Sequence, residues 1–108
     1  MTAKPVIPRQ AAHRDVEIAV DFYATEAGEA VALRFVDAVE TAYGAISRHP
    51  ATGSPRYGHE LNLPGLRSRL LNGYPFLIFY IERDSFVDVW RVLHAQRDIP
   101  AWLQESQV

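Results

Sequence analysis

Two amphipathic helical runs that meet at a single glycine constrain the fold more than any other feature of this chain. Between Ala11 and Ala27 the apolar residues Val16, Ala19, Val20, Tyr23 and Ala27 recur at helical spacing, with Asp15, Glu17 and Asp21 off the stripe. From Glu29 to about His49 a second run puts Val31, Phe35, Ala38, Val39, Ala42 and Ile46 on one face, widened by Leu33, Val36 and Tyr43. Gly28 can take the positive φ that ends the first helix, and Pro50 stops the second. Glu29 at the start and Arg48 and His49 at the end of the second run suit the helix dipole. So short a connection leaves the helices antiparallel, a helical hairpin. The wide apolar face of the second helix predicts two contacts, one with its partner and one with a sheet.

The remaining segments supply that sheet. Residues 4–10 form a short apolar run interrupted by Pro5 and Pro8, which confines it to a sheet edge. Residues 50–65 are dense in Gly, Pro and Ser and read as a long loop, a kind that often carries function. Leu66–Leu71 precedes Asn72-Gly73, a strong hairpin signal. Tyr74–Ile81 is apolar on both faces and reads as a covered central strand, and Phe86–Ala95 returns after a turn at Arg83-Asp84-Ser85. Asp98 is placed to N-cap a short tail helix through Gln104, with Pro100 in its first turn and Trp102 and Leu103 fastening it. The expected class is α+β in the order β-α-α-β-β-β: an N-terminal edge strand, a helical hairpin, a three-stranded antiparallel meander and a short C-terminal helix. The hairpin lies on one sheet face, and residues 1–108 are expected to form one domain.

Composition narrows the function. With 48% hydrophobic and 22% charged residues the chain can build a core. It has no cysteine, which excludes disulfides, thiolate nucleophiles and zinc ribbons. No apolar run approaches the ~20 residues of a membrane span, so no membrane partner and a cytoplasmic location are expected. The net charge of −2 gives no bulk attraction to nucleic acid. The signs are nevertheless segregated. Residues 56–97 hold six arginines (Arg56, Arg67, Arg69, Arg83, Arg91, Arg97) against Glu60, Glu82, Asp84 and Asp88.

Three groups of residues can carry chemistry. Arg67 and Arg69, two apart on a strand, share a face and form a fork suited to phosphate or carboxylate; such a pair is also common on a solvated strand. Strand parity puts Asp88, Trp90, Val92 and His94 on one face, which suits a solvent-facing or partner-facing surface. Val87, Val89, Arg91 and Leu93 take the other. Arg91 therefore interrupts an apolar row, either buried against a carboxylate or aimed into a concave site. His94, Gln96, Arg97 and Asp98 gather at the end of the last strand, as a general acid–base cluster or as a capping cluster. Asp15, Glu17 and Asp21 read as a solvated helix face. The four histidines are scattered, so no metal is expected, and no phosphate-loop, nucleophile-elbow or His-Glu-x-x-His motif is present.

Taken in order, the segments Asp15-Val-Glu-Ile, Phe22-Tyr23, Arg34-Phe35, Ala45-Ile46, His49-Pro50-x-x-Gly53, Leu63-Pro64-Gly65-Leu66-Arg67, Tyr74-Pro-Phe-Leu-Ile-Phe-Tyr80 and Val92-Leu93-His94-Ala-Gln-Arg97-Asp98 resemble toxins of the RelE/ParE superfamily of bacterial type II toxin–antitoxin systems. Within it they resemble the ParE branch, over about residues 5–103. The resemblance implies a ParD-like antitoxin whose disordered tail folds onto the toxin, operator DNA reached only through that antitoxin, and no cofactor. It implies DNA gyrase as the target, poisoned without a nuclease site. On that reading the antitoxin- or target-binding candidates are Arg67, Arg69, Trp90, His94, Arg97, Val31 and Phe35. The alternative is a RelE-type ribosome-dependent mRNA endoribonuclease, with Arg67 and Arg91 clamping phosphate and His94 as acid or base. Against it stand a single lysine, Lys4, where RelE-type enzymes carry a pair, and no tyrosine after residue 80.

Overall fold

The computed structural model describes residues 3–106. Its elements are β1 (Val6–Pro8), α1 (Gln10–Ala27), α2 (Glu29–Arg48), α3 (Arg56–Glu60), β2 (Leu66–Leu70), β3 (Phe76–Glu82), β4 (Val87–His94) and α4 (Ile99–Ser106). Gly28 alone separates α1 from α2, at φ +98°, a left-handed region that a side chain rarely enters. The inward stripes of the hairpin bury Ala12 and Ala19 from α1, and Phe35, Val39, Ala42 and Ile46 from α2.

The hairpin packs on one face of a four-stranded sheet ordered β1-β4-β3-β2. β2, β3 and β4 form the expected antiparallel meander, whereas β1 joins the outer edge of β4 in parallel, Val6 opposite Val87 and Pro8 opposite Val89. On the hairpin side, Ile78, Tyr80, Val87, Val89 and Val92 meet the helical stripes. Tyr23, Phe35, Tyr74 and Phe76 form an aromatic knot at one end, with most ring centroids 5.2–5.3 Å apart. The Tyr74 hydroxyl also donates to the Val31 carbonyl at 3.1 Å, tying the β2–β3 turn to the first turns of α2.

The second face is covered too. Phe79, Ile81, Trp90 and Leu93 pack under Leu63, Ile99 and Leu103, so α4 and the 50–65 segment roof the sheet opposite the hairpin. That segment is not all loop. It contains α3 and a bridge between Ser54 and Ser68, whose backbones exchange two 2.9 Å hydrogen bonds. Asp98 caps α4 as expected, accepting from the Ala101 N–H at 3.4 Å.

One irregularity overturns the parity expected for the last strand. Phe79 faces Arg91 but its neighbour Tyr80 faces Val89, so Trp90 is an extra residue in β4. The bulge puts Val87, Val89 and Val92 on the hairpin face, and Trp90 and Leu93 on the other. Asp88 and Trp90 keep their expected face, but that face is covered, so both are buried, not partner-facing. Asp88 accepts from Arg9 (Nη2, 2.9 Å), Arg83 (Nη2, 2.9 Å) and the Trp90 indole (3.3 Å).

Candidate functional site

Beyond Pro8, β1 no longer covers the outer edge of β4, and α1 begins there. Asp15 stands at that edge. Its carboxylate accepts from the Val92 N–H at 3.0 Å and from Arg91 through Nε and Nη2, both at 2.7 Å. Arg91 is 7% exposed and also lies 4.9 Å from the Trp102 ring centroid on α4. One guanidinium thus links the hairpin layer to the opposite layer through the sheet edge. The sequence left Arg91 either buried against a carboxylate or aimed into a site, and the structure selects the first. Asp15 is correspondingly a buried partner rather than part of a solvated face. Burial and the nearby Asp15 charge push the Tyr43 phenol up to about 12.

His94, at the end of β4, stacks edge-on against Phe76 with centroids 5.2 Å apart. Its Nδ1 accepts from the Gln96 N–H at 3.1 Å. Beside it runs an apolar groove of about 280 Å³ lined by Ile18, Phe22, Phe76, Val92, Arg97 and Trp102 among others. Ile18 and Phe22 on its α1 wall are 56% and 58% exposed, an unusual amount for such large apolar side chains. Arg97 lies at its rim, 4.9 Å from the Trp102 ring centroid.

Arg67 and Arg69 do share a face of β2, opposite Tyr80 and Ile78 and so on the hairpin side. Arg67 donates to the Gly53 carbonyl at 2.8 Å, and Tyr80 anchors the same loop by donating to the Pro50 carbonyl at 2.7 Å and accepting from the Gly53 N–H at 3.1 Å. A Cβ on Gly53 would collide with the Tyr80 hydroxyl, which is why glycine stands there. Arg69 instead opens into a groove between α2 and β2 whose walls include Val31, Arg34, Asp37, Thr41 and the 61%-exposed Leu70.

The structure therefore joins Val31 with Arg69 in one groove and His94 with Arg97 in another. It separates the three residues of the nuclease alternative. Arg67 is on the hairpin face, Arg91 is turned to the sheet edge by the bulge, and His94 pairs with Phe76 four residues down β3 from the partner of Arg67, about 13 Å away along the strand. Two docking candidates are corrected. Phe35 is fully buried in the aromatic knot, and Trp90 is 6% exposed beneath the Arg9 guanidinium, whose Cζ is 4.5 Å from the ring. Sequence reasoning missed Ile18 and Phe22; their i, i+4 spacing off the main stripe of α1 is the signal that could have found them, but nothing in the sequence said that their side of the helix faces an uncovered strand edge. Among the described residues no three His, Asp or Glu side chains are placed to share a metal ion, and no helix is long and apolar enough to cross a membrane.

Comparison with known proteins adds two findings. A family model described as the ParE toxin of the type II toxin–antitoxin system, parDE, matches residues 6–99. A solved structure titled "Chromosomal ParDE TA system from P. aeruginosa" superposes with a TM-score of 0.71 at 18% identity, over 85% of this chain and 96% of that one. No curated protein sequence matches.

Proposed function

The chain belongs to the ParE toxin family of type II toxin–antitoxin systems, and on that premise we propose that it is the toxin of such a pair, poisoning DNA gyrase in the cytoplasm and neutralised by a ParD-like antitoxin. The observation that carries the choice of gyrase over messenger RNA is the state of Arg91. A phosphate clamp needs a free cation, whereas this guanidinium is buried and held at two nitrogens by Asp15. With Arg67 and His94 placed elsewhere, no arrangement of these three surrounds one phosphate.

The antitoxin reading is supported by the groove between α1 and the end of β4. Its exposed Ile18 and Phe22 suit the apolar face of an amphipathic segment, and Arg97 at the rim suits an acidic one. A partner that orders on this surface would reach operator DNA through its own domain.

Purified gyrase tests the target. With supercoiled plasmid, ATP and the toxin, cleaved DNA is expected to accumulate, and translation in a cell-free system is expected to continue. Cleavage of ribosome-bound messenger RNA with gyrase unaffected would replace this reading by the nuclease one. For the antitoxin, Ile18→Asp with Phe22→Asp is expected to abolish capture of the protein encoded by the adjacent reading frame while leaving the toxin folded.

A further inference from the structure

The arginines divide by how they are used. Arg9, Arg83 and Arg91 on one side of the molecule each hold a carboxylate, as Lys4 does with Glu82. On the α2–β2 side, Arg34, Arg48, Arg67 and Arg69 have no carboxylate within ion-pairing distance among the described residues. Arg34 and Thr41 line the α2 wall of the groove, and Arg48, a further seven residues on, continues that stripe with its guanidinium folded back over Gly44. Arg69 lines the β2 wall, and Arg67 stands two residues back on the same strand face, about 6.6 Å along it. The helix row from Arg34 to Arg48 thus runs about 21 Å, with Arg69 facing it across the groove. Asp37 is the acidic residue among the groove-lining side chains. Arg34 and Arg69 against Asp37 leave the groove net positive, and Arg48 and Arg67 beyond its ends add to that sign, opposite to the chain as a whole, at −2.

We infer that the α2–β2 groove binds the phosphate backbone of DNA, contacting the duplex that the topoisomerase target holds. The inference deepens the gyrase reading and rests on it for its setting. A row of unneutralised guanidiniums over this length, with Arg69 across the groove from it, matches a run of about six base steps. An isolated acidic side chain would need one of them. The other groove, apolar with exposed Ile18 and Phe22, has the character of a protein-docking surface, so the two surfaces differ in the partner each suits.

The test is fluorescence anisotropy of the full chain with a labelled 20-base-pair duplex across a salt series. Binding is expected to weaken with a slope of about −3 in log K against log salt, the neutralisation of three to four phosphates. Arg34→Glu with Arg69→Glu is expected to lose at least tenfold in affinity, Arg34→Gln with Arg69→Gln less. Arg14→Glu with Arg56→Glu, the same change in net charge elsewhere, is expected to retain binding within about twofold. Circular dichroism confirms that each variant is folded. Absence of salt-sensitive binding, equal loss in both double charge reversals, or displacement of the duplex by an equal concentration of a polyglutamate peptide would overturn the assignment. The gyrase reading fails separately. A toxin that binds duplex through Arg34 and Arg69 yet leaves gyrase untouched keeps the groove and removes the target, and gyrase poisoning without duplex binding does the reverse.

Discussion

The two flanks of the helical hairpin use arginine in opposite ways. At the α1–β4 flank, Arg91 is drawn into the protein, where Asp15 holds it and the Val92 N–H together. The groove left beside it is apolar. At the α2–β2 flank, Arg34 and Arg69 line an open groove, and Arg67 gives a hydrogen bond only to a loop carbonyl. The difference comes from how each sheet edge ends. β1 stops at Pro8, and a carboxylate from the next element covers the exposed edge of β4, so a cation is needed there for the fold. The β2 edge is covered by the Ser54 bridge, and its arginines remain available to solvent or a partner.

Mutations at the two flanks should therefore differ in kind. The largest effect is expected from Asp15→Ala, which leaves a buried guanidinium unpaired and the Val92 N–H unsatisfied. A loss of about 3–5 kcal/mol in urea unfolding is expected, and a loss below 1 kcal/mol would show that the pair is not structural. Next comes Tyr80→Phe, which removes the hydroxyl between Pro50 and Gly53 beneath the β2 flank. About 1–3 kcal/mol is expected, with faster proteolysis of the 50–60 loop. Acid should act on the structural side. Burial alone would raise the Asp88 carboxyl, but the hydrogen bonds and charges of Arg9 and Arg83 hold it below the ordinary carboxylate range. Its contribution is then full above the unfolded value of about 3.9 and is lost as pH falls through the lower folded value. Asp88→Asn should flatten that part of the stability–pH curve, and an unchanged curve would remove Asp88 as its cause. The smallest effect is expected at the open flank. Arg69→Ala or Arg34→Ala should change unfolding free energy by no more than about 0.5 kcal/mol, and a larger loss would make those residues structural and erase the contrast.

Local signals made much of this fold legible. The stripes of α1 and α2, the break at Gly28, the double-sided apolar run of β3 and the Asp98 cap depend on neighbours within a few residues, and each stands close to where the sequence placed it. The site was less legible because its determinants are distant. Asp15 lies 76 positions from Arg91, and a single sequence pairs no such residues. The bulge at Trp90 defeated parity only beyond it, exchanging the faces of Val92 and Leu93, whereas Asp88 and Trp90 kept their expected face and are buried because elements distant in sequence cover it. The five-residue α3 was hidden in a segment whose Gly and Pro content reads as loop, and there Gly58 sits too close to the Leu66 carbonyl for any side chain.

The division between a structural Arg91 and a functional surface elsewhere is tested most directly by replacing the buried pair with Asp15→Asn and Arg91→Met together. The asparagine keeps an acceptor for the Val92 N–H, and methionine fills the space of the arginine stem. The quantity to measure is cleaved DNA accumulated by purified gyrase per folded toxin molecule. The account predicts a value close to that of the unaltered protein, and a folded double variant that poisons nothing would contradict it.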